Sequence, residues 1–281
     1  MTKNNRLLHW RKSHLLQKLI CSSMLMRQII LVSILLFSFD AFAQKGNKIN
    51  NITIFAEDGM AYPLVKIVRL YSRDHNSTVS TNFNNSFESI KNIEDGEPVD
   101  VFIASHPDWI ELLKQKGLVD VYSISNIAKD RLVLVTSVKN QKIDVNKISQ
   151  LSDIKSILTD INHKQIPIIA DSPDSSLGKY AKDLLKDLDF DNKNIYYKLA
   201  EDRTSIVDFI EQNTEYCGLT LASAVKNYSD IKVLKAIDDR DIYYQALVIA
   251  GSNMNQARDF VSFFKSEAAK DIFVENGFSV E

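Results

Sequence analysis

Cysteine is nearly absent: Cys21 and Cys217 are the only two in 281 residues. Cys21 lies ahead of an apolar run and lacks the small residues of a lipid-attachment box, so no lipid is expected on it. With the segment around Cys21 removed, one thiol remains and no intramolecular disulfide can form. Cys217 stands in Tyr216-Cys217-Gly218-Leu219 with no histidine near it in sequence, which reads as a small buried core residue rather than a nucleophile. An excess of positive charge is also missing: 34 Lys and Arg face 36 Asp and Glu, for a formal net charge of −2, so the electrostatic footprint of a nucleic-acid-binding protein is absent. His75, His106 and His163 are isolated, with neither a helical partner nor a Cys-x-x-Cys pair, which argues against a structural metal site. Internal repeats, heptads and low-complexity linkers are lacking as well.

What is present at the amino terminus is a leader. Arg27 precedes Ile29 to Phe39, an apolar run too short to span a bilayer comfortably, and Ala41-Phe42-Ala43 supplies the small-x-small pattern that signal peptidase reads. Residues 1–43 are therefore expected to be a signal peptide, cleaved before Gln44 and delivering the chain to the periplasm; an uncleaved anchor is the alternative. The basic stretch ahead of Met26 is long, and a start at Met24 or Met26 gives a more ordinary leader. Cleavage would leave 238 residues, with Lys plus Arg falling from 34 to 28 and Asp plus Glu from 36 to 35, a net charge of −7. That length suits one large α/β domain or two lobes.

Beyond the leader, strands alternate with helices. Ile52 to Ala56 reads as a strand, Ala61 to Ser72 as an amphipathic helix, Thr78 to Phe83 as a strand and Ser86 to Asp95 as a helix. Val99 to Ala104 and Trp109 to Lys116 repeat the unit, and Arg131 to Ser137 is a long apolar strand. Ile166 to Ala170, Asn194 to Leu199 and Tyr216 to Leu221 are further strands, separated by helices over Leu177 to Leu188 and Ser205 to Gln212. Ile242 to Ala250 and one helix from Met254 to Val274 close the chain. Such alternation predicts an α/β fold with mostly parallel sheets, whose ligands bind where strands end and helices begin.

The stretch Pro98 to Asp120, PVDVFIASHPDWIELLKQKGLVD, combines a buried strand, a polar break and an amphipathic helix, and its wording resembles the periplasmic molybdate-binding proteins of ABC importers. Ile52-Thr53-Ile54-Phe55-Ala56 is similar to that family's first strand. Ala170-Asp171-Ser172-Pro173 with Gly178-Lys179-Tyr180-Ala181-Lys182 is similar to its second-lobe loop and helix. Cys217-Gly218-Leu219-Thr220 looks like the strand that normally reads L-G-I-V-Y, and Phe260 to Phe278 like the last helix. The matches run in order along the mature chain. They imply a two-lobed type II periplasmic binding protein fold with mixed, mostly parallel sheets flanked by helices. Lobe I would comprise 49–131 and 247–281, lobe II 132–246, with a two-strand hinge at Leu132 to Thr136 and Tyr244 to Ile249. The resemblance further implies a monomeric, non-enzymatic capture subunit that takes a small oxyanion such as molybdate or tungstate, hands it to an ABC permease in the inner membrane and needs no cofactor.

At the binding positions the sequence departs from that pattern. The family holds a tetrahedral dianion with loop hydroxyls, backbone N–H groups at helix starts and a tyrosine. The first-loop serine position falls on Asp58 or Gly59, in Ala56-Glu57-Asp58-Gly59-Met60; the second loop reads Asn84-Asn85-Ser86, where Ser86 still donates. Leu177 takes the backbone-donor position of the second lobe, Arg203 a position usually apolar, and Leu221 that of the tyrosine. A carboxylate about 4 Å from one charge of a bound dianion costs ~4 kcal/mol at an effective dielectric near 20. Arg203, facing the cleft, would offset it with a bidentate fork. The acidic first loop would then suit an amino-bearing ligand or a metal ion. Alternatively Asp58 caps the helix near Ala61 and Arg203 is solvated. A bilobal envelope sensor is the reading from another class. Ser175-Ser176 reads as a helix start rather than a hydrolase elbow, Asp100 and Asp171 as fold carboxylates, and the tyrosine pairs 196–197 and 243–244 as half core.

Overall fold

Ile52, Ile54 and Ala56 fall on one face of a strand and Phe55 on the other, and both faces are buried, which is what a strand covered by helices on two sides requires. This strand, β1 (Asn50–Ala56), opens the part of the chain that the computed structural model describes: residues 50–144, 148, 153, 155, 166–189, 195–198, 205–251 and 253–281. The leader, His163 and Arg203 lie outside the described residues.

Helix α1 (Ala61–His75) leads to β2 (Ser77–Phe83), α2 (Ser86–Glu94) to β3 (Val101–Ala104), and α3 (Pro107–Gln115) to β4 (Ser125–Ser137). The second half runs β5 (Ile168–Asp171), α4 (Ser176–Asp187), β6 (Ile195–Lys198), α5 (Ile206–Gln212), β7 (Cys217–Leu221), the short α6 (Ala222–Val225) and β8 (Ile231–Val248), followed by α7 (Met254–Phe263) and α8 (Glu267–Glu275). The eight strands form a mixed sheet in the order β2-β1-β3-β8-β4-β7-β5-β6. Parallel blocks, β2-β1-β3 and β7-β5-β6, lie at either end, and antiparallel β8 and β4 join them. No helix among the described residues is long and apolar enough to cross a membrane.

Two elements differ from the sequence reading. The expected single carboxy-terminal helix is two helices, because Ser266 accepts from the Ala269 N–H at 3.3 Å and starts α8 afresh. The expected strands at Arg131 to Ser137 and Ile242 to Ala250 are the ends of two longer ones, which pair with each other antiparallel from Ser125↔Ala246 to Ser137↔Ile231. The expected hinge stretches fall within the blocks: Leu132 to Thr136 pairs with β7, and Gln245 to Val248 pairs with β3. Between them the β4–β8 register shifts at Arg131/Val133, which is where the two strands pass from one parallel block to the other.

Asp130 sits just before that shift and is buried. Its Oδ1 accepts the backbone N–H groups of Arg131 at 2.7 Å and Ser223 at 3.3 Å, tying β4 to the start of α6, while Oδ2 has no partner among the described residues. Burial pushes its carboxyl from 3.8 up to about 6, against the opposing pull of these hydrogen bonds. The folded chain therefore takes up a proton at a pH where the unfolded chain does not. The stability from this group is complete below pH 3.8 and is lost as pH rises through about 6, a total of about 3 kcal/mol at 1.36 kcal/mol per pKa unit. Asp130→Asn is expected to flatten that decline. Urea midpoints of variant and parent compared from acid to neutral pH check it: parallel profiles would contradict the assignment.

Candidate functional site

The carboxyl ends of β1, β2, β3 and β5 point to one place, and each delivers one residue there. The extended backbone of β1 continues one residue past its end, with Glu57 at φ −66° and ψ 146°, so the alternation of the strand turns the Glu57 side chain to the same face as Phe55, toward α2 and α3. Ser86 begins α2 after β2, Ser105 follows β3, and Ser176 begins α4 after β5. All four side chains are buried.

They form one cluster. Ser86 Oγ and Ser176 Oγ both donate to Glu57 Oε1, and Ser105 Oγ donates to Oε2 at 2.9 Å. Ser176 Oγ in turn accepts the backbone N–H of His106 at 3.1 Å, so its own proton is directed at the carboxylate. Around the cluster, Tyr180 on α4 donates to the Ser105 carbonyl at 2.9 Å, and its ring lies 4.6 Å from that of His106. Tyr244 on β8 is buried close enough for the Glu57 charge to act on its phenol. Burial drives the Glu57 carboxyl above its ordinary range, and the serine bonds pull it back. Burial also raises the Tyr244 and Tyr180 phenols, with the nearby Glu57 charge adding to both, and lowers His106, whose Nδ1 caps α3 by accepting from the Asp108 N–H. Among the described residues no lysine or arginine pairs with Glu57; Lys179 is taken by Asp108 at 2.8 Å and by the Trp109 ring at 4.4 Å. The carboxylate is held by neutral hydroxyls and by the first turns of α2 and α4, where helix dipoles favour negative charge.

The sequence-predicted residues divide. Ser86 is in the cluster. Gly59 and Leu221 stand beside it: a Cβ on Gly59 would lie 2.8 Å from the Tyr244 hydroxyl and 3.9 Å from Leu221 Cδ1. Asn85 instead caps α2, its Oδ1 accepting the Glu88 N–H at 2.9 Å. Leu177, half-buried in the first turn of α4, packs its side chain into the core. Asp58 is exposed in a short 3-10 turn, and α1 starts after Met60 with no capping side chain, so the acidic pair splits, Glu57 inward and Asp58 outward. Among the described residues no three His, Cys, Asp or Glu gather to hold a metal ion. Sequence reasoning misses Ser105, reads Ser176 only as part of a helix start, and offers Tyr244 only as one of a pair that could line a cleft. The Ser175-Ser176 pair held the signal: Ser175 caps α4 by accepting the Gly178 N–H at 2.9 Å, which leaves the next side chain free to turn into the site.

Residues 52–279 match the family of bacterial extracellular solute-binding proteins. The chain belongs to that family. Among its relatives is the molybdate-binding protein ModA of Haemophilus influenzae, 24% identical over 260 residues that span 90% of this chain and 96% of the relative. The periplasmic molybdate-binding protein of Azotobacter vinelandii superposes with a TM-score of 0.65 at 15% identity, over 82% of this chain and 99% of that one. The tungstate ABC transporter structure from Geobacter sulfurreducens gives 0.63 at 14% identity, over 80% and 98%. This solute-binding protein is thus a divergent relative of the molybdate-binding proteins and shares the fold of periplasmic binding proteins.

Ser176→Ala removes a donor to a buried carboxylate and the acceptor of the His106 N–H. It is expected to lower the unfolding free energy by about 1–3 kcal/mol in urea, and by clearly less when Glu57 is already alanine. A double-mutant cycle reads the difference, and additive costs would mean that the pair is not coupled.

Proposed function

We propose that this chain is the extracytoplasmic solute-binding subunit of an ABC importer and that it takes a small oxyanion of the molybdate or tungstate class. One observation carries the reading: hydroxyls from three separate strand ends converge with helix first turns on a point that already holds an anionic group, Glu57, with no cation beside it among the described residues. A carboxylate oxygen and an oxyanion oxygen ask the same thing of a site, namely inward-pointing donors. Relatives that bind molybdate support the ligand class.

In this reading the protein does no bond chemistry, is exported by cleavage after Ala43, works as a monomer in the periplasm and presents its closed form to a membrane permease. Lobe I, 49–131 with 247–281, and lobe II, 132–246, close about the paired strands β4 and β8, with the register shift at Arg131/Val133 as the bending point. The alternative, a cationic ligand or a metal ion at the acidic loop, would rest on the exposed Asp58, since Glu57 is engaged by the three serines.

A thermal-shift screen of the full chain, expressed with its own leader, against molybdate, tungstate, sulfate, phosphate, amino acids, polyamines and divalent metals tests the proposal. A melting temperature that climbs with rising molybdate or tungstate concentration is the expected result. Response only to cationic or zwitterionic compounds would refute it.

A further inference from the structure

We propose that the Glu57 carboxylate is the site's own resident anion, a tethered competitor that occupies the donors of Ser86, Ser105 and Ser176 and latches the two parallel blocks together in the absence of solute. The inference rests on the oxyanion reading above for the identity of what Glu57 competes with, but the latch itself is read from contacts.

Those contacts cross between the blocks. Glu57 and Ser86 leave strands of the β2-β1-β3 block, and Ser176 begins the helix that follows β5, in the other. Glu57 Oε1 receives a proton from each side, from Ser86 and from Ser176, whose oxygens are 3.4 Å apart. Around this centre the same two blocks meet through Phe87 N–H to the Asp174 carbonyl at 3.3 Å, Tyr180 to the Ser105 carbonyl at 2.9 Å and Lys179 to Asp108 at 2.8 Å. Domain closure normally waits for a ligand to bridge the two sides. Here the bridge is covalently part of the chain.

Competition follows from the donor inventory. Each serine has one O–H proton to give, and all three are given to Glu57. An oxyanion that takes these donors must displace the carboxylate from them, because each hydroxyl has a single proton to give. The carboxylate is also shielded: Glu57 is only 8% exposed, and the Tyr244 hydroxyl lies 2.8 Å from where a Cβ on Gly59 would sit. With the self-occupied arrangement dominant, an incoming anion sees only the fraction of molecules whose site is vacant, and its apparent affinity falls by that fraction.

The test compares the wild type with Glu57→Ala, both expressed as the full chain with the native leader, using calorimetric titration with molybdate, tungstate, phosphate and sulfate, and small-angle scattering in solute-free buffer. Glu57→Gln, which keeps the length and loses the charge, stands in should the alanine variant not fold. The expected result is that Glu57→Ala binds at least one of the four anions about 100-fold more tightly than the wild type, the tax for a site vacant about 1% of the time. Its radius of gyration without solute should exceed that of the wild type and shrink on adding that anion. Wild-type binding as tight as, or tighter than, that of the variant would overturn the competitor while leaving the oxyanion reading in place. If neither protein binds any anion, the oxyanion reading fails and scattering decides the latch: expansion of the variant supports it, and equal radii overturn it.

Discussion

A carboxylate buried among hydroxyls, with no described cation to neutralise it, is the constraint around which the described chain is arranged. Taking such a group out of water costs several kcal/mol unless hydrogen bonds replace its hydration. The replacement here comes from three serines, and each serine is placed by a different strand end. The loops after β1, β2, β3 and β5 must therefore all arrive together, and the helices that follow β2 and β5 must begin at the site. Within each block the parallel arrangement puts strand ends and helix starts at one edge, and because β3–β8, β8–β4 and β4–β7 are all antiparallel the two blocks run in opposite senses, so their carboxyl ends face each other along the long β4–β8 pair.

Most of the fold was legible because buried parallel strands are short apolar runs bounded by helices. Val101–Ala104 and Cys217–Leu221 are buried at every position, and their neighbours carry helical spacing. The central antiparallel pair was not legible in full. Ile231–Val248 is one strand whose middle reads Asp238-Asp239-Arg240-Asp241, and a charged run of that kind speaks against a strand by any local rule. What holds it extended is its partner: β4 runs antiparallel beside it on either side of that stretch. Tertiary pairing overrode the local pattern. The break at Ser266, by contrast, had a capping residue in plain view, and the apolar periodicity on both sides of it concealed the stop.

The site was legible by position and not by atom. Family resemblance pointed to the first loop, and its serine position fell on Asp58 or Gly59; the residue that reaches the site is Glu57, one step earlier. A simple physical signal existed. Residues 55 and 57 share a strand face, so the buried Phe55 already indicated where Glu57 would point if the extended backbone persisted. Asn85 and Ser86 show the same lesson at a helix start: one residue caps, the next turns into the site, and only the structure says which does which.

Gly59 completes the argument about donors. Where the family pattern places a first-loop hydroxyl, this chain has Asp58 or Gly59, and the Tyr244 hydroxyl lies 2.8 Å from where a Cβ on Gly59 would sit. The tyrosine that the pattern expects at the end of β7 is Leu221, buried against the same spot. Tyr244, which fills in beside both positions, belongs to β8, a strand that pairs with β3 of one block and with β4, which in turn pairs with β7 of the other. A dianion about 4 Å from the Glu57 charge would be opposed by ~4 kcal/mol for each of its charges at an effective dielectric near 20. A dianion held by Ser86, Ser105 and Ser176 and retention of the Glu57 carboxylate among them therefore oppose each other, because both draw on one set of hydroxyl donors.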